Sequence, residues 1–412
     1  MQHEPLISPR LTALRRAIDA GNEGSVPTFW GEMARQGTPL VEPDPHDAAS
    51  ALVTLLWRGD AGARNVAVLG AFGSYFDLAG NTLAHLPGTD VWYRTDRVRA
   101  DVRAWYRLAP NDSLEPPRDW GARTAAFRAD HLNPRRFVVP GGPENLATPH
   151  TEVWSVIELP DTPPQPWVQA DQGVPRGDVH RRRVPSDLLG DERDVWVYTP
   201  PGYAPDSAPY GLLVLSDGFI YTHVIPTPTI LDNLCAASRL PPLVAVMVNH
   251  PDADARVREL SCYEPFVDFL AHELLPWVHA RYRVTDDPTR TMIGGSSLGG
   301  LTASFAALRH PDVFGAALSQ SGSYWWRPQG EEPGWLSRQY AAAVHLPLRF
   351  YLDVGILESD GQRAANRHMR DVVEAKGCPV RYAEFSGGHT FLCWQGTLSD
   401  GLMAVMGTSD GV

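Results

Sequence analysis

Ser297 is framed as Gly295-Ser296-Ser297-Leu298-Gly299, between the apolar run Arg290 to Gly294 and a helix-like stretch from Leu301 to Arg309. This is the strand, sharp turn and helix that presents a serine hydroxyl as a nucleophile, and the flanking glycines remove Cβ atoms that would collide with the neighbouring strand and helix. A serine hydroxyl is weakly nucleophilic at neutral pH and needs a general base within hydrogen-bond reach. His389 fits that need. It lies in Gly387-Gly388-His389-Thr390, in the loop after the last predicted strand, where the glycines let the chain turn. His310 and His345 read as surface or packing residues, and His368 falls in a predicted helix.

A third group should hold the imidazole in its working tautomer and stabilise the imidazolium. The loop after the predicted strand Phe350 to Val354 supplies Glu358, with Asp360 in reserve; a carboxylate at such a position also serves as a helix cap or a solvated charge. The tetrahedral intermediate of an ester needs backbone donors aimed at its oxyanion. One is expected from the Leu298 N–H. The other is expected from Leu215-Ser-Asp217-Gly218-Phe219, at Gly218 or Phe219, although Asp-Gly is also an ordinary turn pair.

The elements that must position these groups are legible as alternation. Strand-like runs at Val195 to Thr199, Leu212 to Leu215, Leu243 to Val248, Thr291 to Ile293, Ala316 to Ser319, Phe350 to Val354 and Val380 to Phe385 are separated by helical patterns, notably Phe266 to Arg281 and Gly361 to Lys376. Such alternation predicts a largely parallel sheet covered by helices on both faces, an α/β hydrolase fold. Before it, Ser8 and Pro9 open a short amphipathic helix that Gly21 stops, and period-two patterns at Val91, Tyr93 and Thr95 and at Val102 to Leu108 suggest a β-sandwich. The proline-rich segment from Leu159 to Trp167 reads as a linker, which places domains at 1–167 and 168–412.

Composition narrows the function classes. A formal charge of -12 argues against a nucleic-acid binder that works by neutralising phosphates. Lys376 is the only lysine, so the cationic chemistry is almost wholly that of arginine, a bias that a GC-rich genome also produces. Cys235, Cys262, Cys378 and Cys393 are widely spaced and read as free thiols, the N-terminus lacks a secretory pattern, and no apolar run approaches the roughly 20 residues of a membrane helix. The expected location is the cytoplasm, with no membrane or nucleic-acid partner. Oligomeric state is not legible.

Several motifs together resemble the enterochelin (enterobactin) esterases of the broader putative-esterase group. They are Arg193 to Pro200, Leu215 to Gly218, Arg258-Glu-Leu260, Glu273 to Pro276, Gly294 to Gly300, Ser319-Gln-Ser-Gly-Ser-Tyr-Trp-Trp326 and Gly387 to Trp394, together with Trp57-Arg58 and Asp130-His-Leu-Asn133-Pro134 in the N-terminal half. The resemblance implies a β-sandwich lid domain before an α/β hydrolase, nucleophile and base at Ser297 and His389, and an acidic residue at Glu358. It implies as substrate a catecholoyl-serine ester, a ferric trilactone siderophore, whose iron arrives with it, so that no cofactor and no protein metal site are expected. A ferric tris-catecholate is a bulky trianion suited to guanidinium groups beside aromatic faces. Arg256, Arg258, Trp325 and Trp326 would suit such a pocket; the tryptophans also fit core packing and the arginines a solvated loop. The chain departs from the family at Tyr263, Thr390 and Leu298, the last harmless because only its N–H is required. A general carboxylesterase or acyltransferase and an inactive ligand-binding homologue are the alternative readings.

Overall fold

The computed structural model describes residues 6–73, 77–115, 123–344 and 346–407, so that His345 lies outside the described residues. The chain divides into two compact units, Met1–Gly141 with Thr148–Pro163, and Gly142–Ala147 with Pro164–Val412. The division at Pro163 falls four residues before the position expected from proline content. Gln165 already belongs to the second unit: its side chain donates to Leu392 O and bonds Gln395, and Trp167 O accepts from Asn233.

The first unit begins with α1 (Pro9–Asp19), whose N-cap Ser8 side chain accepts from Leu11 N–H. A second helix, α2 (Ser25–Gln36), was not anticipated: its N-cap is Gly24 with no side-chain cap, so it lacks a start signal. Phe29, Trp30 and Met33 of α2 pack with Leu11 and Leu14 of α1 against Leu56, Val91 and Tyr93. Those three belong to an antiparallel sheet of β1 (Leu40–Pro43), β2 (Ser50–Arg58), β4 (Ala84–His85) and β5 (Val91–Arg99), in the order β1-β2-β5-β4. Strand β2 is buried on both faces from Ala51 to Leu56, so no alternation marks it in the sequence. A second antiparallel sheet has the order β3-β6-β8-β7, built from β3 (Val66–Gly70), β6 (Arg103–Pro110), β7 (Arg136–Val139) and β8 (Glu152–Glu158). The Asp130 to Pro134 motif is a corner that buries Asp130 and Asn133. Asp130 accepts from Tyr106 Oη at 2.7 Å, Thr38 Oγ1 at 2.5 Å and Leu132 N–H at 3.0 Å, while Asn133 Nδ2 donates to Val156 O.

The second unit is organised by an eight-stranded sheet in the order β16-β15-β14-β13-β11-β12-β10-β9. Its strands are β9 (Asp178–Ser186), β10 (Asp191–Thr199), β11 (Gly211–Ser216), β12 (Leu243–Val248), β13 (Thr291–Ser296), β14 (Ala316–Gln320), β15 (Arg349–Gly355) and β16 (Val380–Phe385). Pairing from β12 through β16 is parallel, and β10 runs antiparallel to both β12 and β9. The edge strand β9, with three consecutive arginines, escaped the sequence reading because it is almost wholly exposed and carries no apolar period.

The helices of this unit are α3 (Thr227–Ala236), α4 (Ala253–Glu259), α5 (Glu264–Phe269), α6 (Leu275–His279), α7 (Leu298–Arg309), α8 (Trp335–Ala342), α9 (Asp360–Ala375) and α10 (Phe391–Met406). Val214, Ile293 and Phe350 share one core with Phe266 of α5, Leu301 of α7 and Met369 of α9. On the other face Gly401 of α10 sits directly against Leu318 and Tyr351. Both faces are therefore covered, as parallel sheets require. The helix expected from Phe266 to Arg281 is not uniform. Pro276 has no N–H to return to the preceding turn, and the chain takes up the misfit in a π turn over Leu270–Leu274, where Leu275 N–H reaches Leu270 O.

Candidate active site

The carboxyl edge of the parallel strands gathers the predicted chemistry. Ser297 follows β13 with φ 57° and ψ -120°, a conformation that strains any residue with a Cβ and turns the serine out of the strand before α7 begins. Gly295 permits the turn: a Cβ there would lie 2.7 Å from the carbonyl carbon of Gly299. Ser297 N–H donates to Gln320 O at 2.8 Å, its carbonyl accepts from Ser323 N–H at 3.0 Å, and its Oγ lies 3.3 Å from Ser323 Oγ.

Two strands along the sheet, Glu358 follows β15. Its Oε1 accepts from Ser321 Oγ at 2.6 Å and Gly355 N–H at 2.8 Å, and its Oε2 lies 2.7 Å from His389 Nδ1. The Glu358 side chain is 2% exposed and that of His389 41%. A carboxylate on Nδ1 selects the tautomer whose Nε2 lone pair is free to take a proton. The imidazole also rests edge-on against Trp394, with ring centres 4.7 Å apart, and Trp394 Nε1 donates to Ser321 Oγ at 3.0 Å. Ser321 and Trp394 thus hold Glu358 and His389 from two motifs to which the sequence assigns no role. Asp360, the reserve acid, opens α9, is 95% exposed and pairs with Arg363.

The turn after β11 stands beside the serine because β11 and β13 are paired in parallel register, Leu215 opposite Gly294. Asp217 takes φ 57°, and Gly218 presses so closely on β12 that a Cβ would lie 2.6 Å from Met247 O. Leu298 N–H opens α7, and Phe219 N–H rests on Asn249 Oδ1 at 3.4 Å, the long limit of a hydrogen bond. The Leu298, Gly218 and Phe219 N–H groups are the candidate donors for an oxyanion, and Phe219 would have to give up that long contact.

A chain of polar and charged side chains holds this turn. Arg256 grips Asp217 bidentately through Nε and Nη2 at 2.5 and 2.7 Å; His250 Nε2 lies 3.9 Å from Asp217, and its Nδ1 lies 2.6 Å from Glu259, which in turn binds Arg193 at 2.8 and 2.9 Å. Burial alone would raise the Asp217 carboxyl and lower the Arg256 guanidinium, but their mutual attraction prevails, so Asp217 is held below the usual carboxylate range and Arg256 above its own. Glu259 is likewise held low, against its burial, by His250 and Arg193. Arg256, offered to the substrate on the sequence, pairs its guanidinium with Asp217. Trp326 is partly buried and packs on the hydrophobic core, edge-on to Trp335 at 6.0 Å. Trp325 is 51% exposed, and the Arg258 side chain is 57% exposed with its guanidinium 5.9 Å from the centre of the Tyr263 ring.

Such a sheet, with Glu358 and His389 following its seventh and eighth strands, is that of an α/β hydrolase. Residues 186–405 match the family described as putative esterase, and residues 52–168 match enterochelin esterase, N-terminal. The chain belongs to the enterochelin esterase family. It is 31% identical to the iron(III) enterobactin esterase of Dickeya dadantii over 95% of this chain and 94% of that protein. It is 27% identical to the iron(III) salmochelin esterase of Escherichia coli O6:H1 over 99% of each. The crystal structure of the enterobactin esterase FES from Shigella flexneri, in the presence of enterobactin, superposes with a TM-score of 0.73 at 29% identity, covering 90% of this chain and 96% of that one.

Proposed function

We propose that the protein is a cytoplasmic serine esterase that opens the ester backbone of a ferric catecholate siderophore through an acyl-enzyme. The observation that carries this reading is the Glu358–His389 pair at the same carboxyl edge of the sheet as the strained Ser297 turn, in a chain that matches iron(III) enterobactin esterases along almost its whole length. Ser297 Oγ attacks the ester carbonyl carbon while His389 Nε2 takes its proton. The carbonyl oxygen becomes an oxyanion facing the Leu298 and Gly218 N–H groups, each such donor being worth about 3 to 4 kcal/mol of transition-state stabilisation. Glu358 stabilises the imidazolium. Collapse breaks the bond to the seryl alkoxide, which receives the His389 proton, and water repeats the sequence on the acyl-enzyme to return Ser297.

Substrate contact is assigned to Trp325 and Arg258. Trp325 lies two residues beyond Ser323, whose hydroxyl touches the nucleophile, and offers an exposed indole face; Arg258 offers an exposed guanidinium to an anionic catecholate. Iron enters as part of the substrate. The test is product chromatography with wild-type protein and Ser297→Ala on ferric and iron-free tris-catecholate trilactone, beside a simple aryl ester. Linear catecholoyl-serine fragments are expected from wild type, with turnover about 10⁴ to 10⁶-fold lower in Ser297→Ala. Cleavage of the aryl ester alone would make the protein a general carboxylesterase, and binding without turnover would make it a ligand-binding homologue.

A further inference from the structure

We propose that Asp268, His272 and His310 form a binding site for one divalent first-row metal ion, with Zn²⁺ its natural probe. Asp268 ends the first part of the interrupted helix, His272 sits in the π turn that follows, and His310 caps the carboxyl end of α7. One ligand atom from each of the three lies within 4.8 Å of the other two. His310 Nε2 and Asp268 Oδ1 are already 2.9 Å apart, and the His272 and His310 rings meet edge to face with centres 4.9 Å apart.

Two imidazoles and one carboxylate are a nitrogen-oxygen donor set that suits zinc and its neighbours, whereas calcium and magnesium prefer oxygen alone. Ligand atoms about 2.0 to 2.1 Å from a common tetrahedral ion stand roughly 3.3 Å apart. The Asp268–His310 pair is close to that spacing. His272 is exposed, so the remaining contraction of about 1.5 Å falls on a side chain free to rotate. An ion pair between His310 and Asp268 accounts for two of the residues and leaves the edge-on His272 without a purpose; a shared ion accounts for all three. Three protein ligands leave a fourth position for water.

The site's place in the fold indicates what the ion does. Its His310 ligand lies at the far end of α7 from Leu298, and twelve residues of α-helix span about 18 Å. That separation removes the ion from the ester chemistry and makes it a clamp between α7 and the π-interrupted helix, next to the Arg309–Glu264 pair that joins the same two elements.

The test uses the full chain without a histidine tag, stripped with chelator and titrated with Zn²⁺ by calorimetry. Binding of one ion per chain is expected, accompanied by a rise in Tm that Ca²⁺ and Mg²⁺ do not produce. His272→Ala and Asp268→Asn should each weaken binding by at least about tenfold, as even outer-shell losses commonly do, and abolish the Tm rise. His272 is exposed, so its variant folds, and ester hydrolysis by His272→Ala should match wild type. Absence of saturable binding, or binding unchanged in both variants, would overturn the assignment.

Discussion

Replacing Asp353 by asparagine isolates the electrostatic cost of a carboxyl group that lies at 0% exposure in β15, beneath the candidate acid. Its Oδ1 accepts from Ser321 N–H at 3.0 Å, and Oδ2 is buried. Burial pushes this carboxyl up to about 8; the Thr397 side chain and the Ser321 N–H pull the other way, and the negative charges of Glu358 and Asp400 add to the rise. In the unfolded chain the same group ionises near 4. Between about pH 4 and pH 8 the unfolded state has lost this proton and the folded state has kept it, so stability falls as pH rises, by about 1.4 kcal/mol per pH unit. Over four pH units the cost is on the order of 5 kcal/mol. Asparagine keeps the acceptor for Ser321 N–H and cannot ionise in either state. The advantage of Asp353→Asn over wild type should therefore grow by about 3 kcal/mol from pH 5 to pH 7, while the other titrations cancel in the difference. Urea unfolding at pH 5, 6 and 7, followed by tryptophan fluorescence, measures it. Parallel stability curves for the two proteins would refute the reasoning, because they would show that Asp353 ionises alike in both states.

Glu358→Gln should lower kcat by about 10² to 10⁴-fold, because an amide no longer enforces the His389 tautomer or stabilises its cation, while Asp360→Asn should stay within about twofold of wild type. Steady-state kinetics on the siderophore ester separates the two carboxylates, and a larger loss in Asp360→Asn would reverse the assignment. Arg256→Met leaves Asp217 buried beside an apolar chain. It should cost about 3 kcal/mol of stability, the lower end for a broken buried pair because the Arg256 side chain is 26% exposed. The same variant should lower kcat by about 10²-fold with KM little changed, since it loosens the turn carrying Gly218, and an equal loss through KM would instead place Arg256 against the substrate.

The local sequence determined the parts of this protein whose physics is local. Gly295 to Gly299 can form one kind of turn, Ser8-Pro9 starts a helix, and β-branched runs separated by helical periods imply a covered parallel sheet; Ser297, His389 and the choice between Glu358 and Asp360 followed from those signals and from chain order. The resemblance to enterochelin esterases added the substrate class. Where local signals were missing, the reading missed as well: α2 has no capping side chain, β9 has no buried face, and Pro276 forces a π turn that an apolar period cannot reveal. Only the tertiary structure separates the two carboxylates, because Glu358 is turned inward onto Ser321, 37 residues earlier, whereas Asp360 faces solvent. It likewise paired Arg256 with Asp217, and joined Arg193 to Glu259 across 66 residues. The reason is that a buried charge is stable only beside its partner, and which partner it meets is set by the order in which the strands pair, a property of the whole sheet that no window of sequence contains.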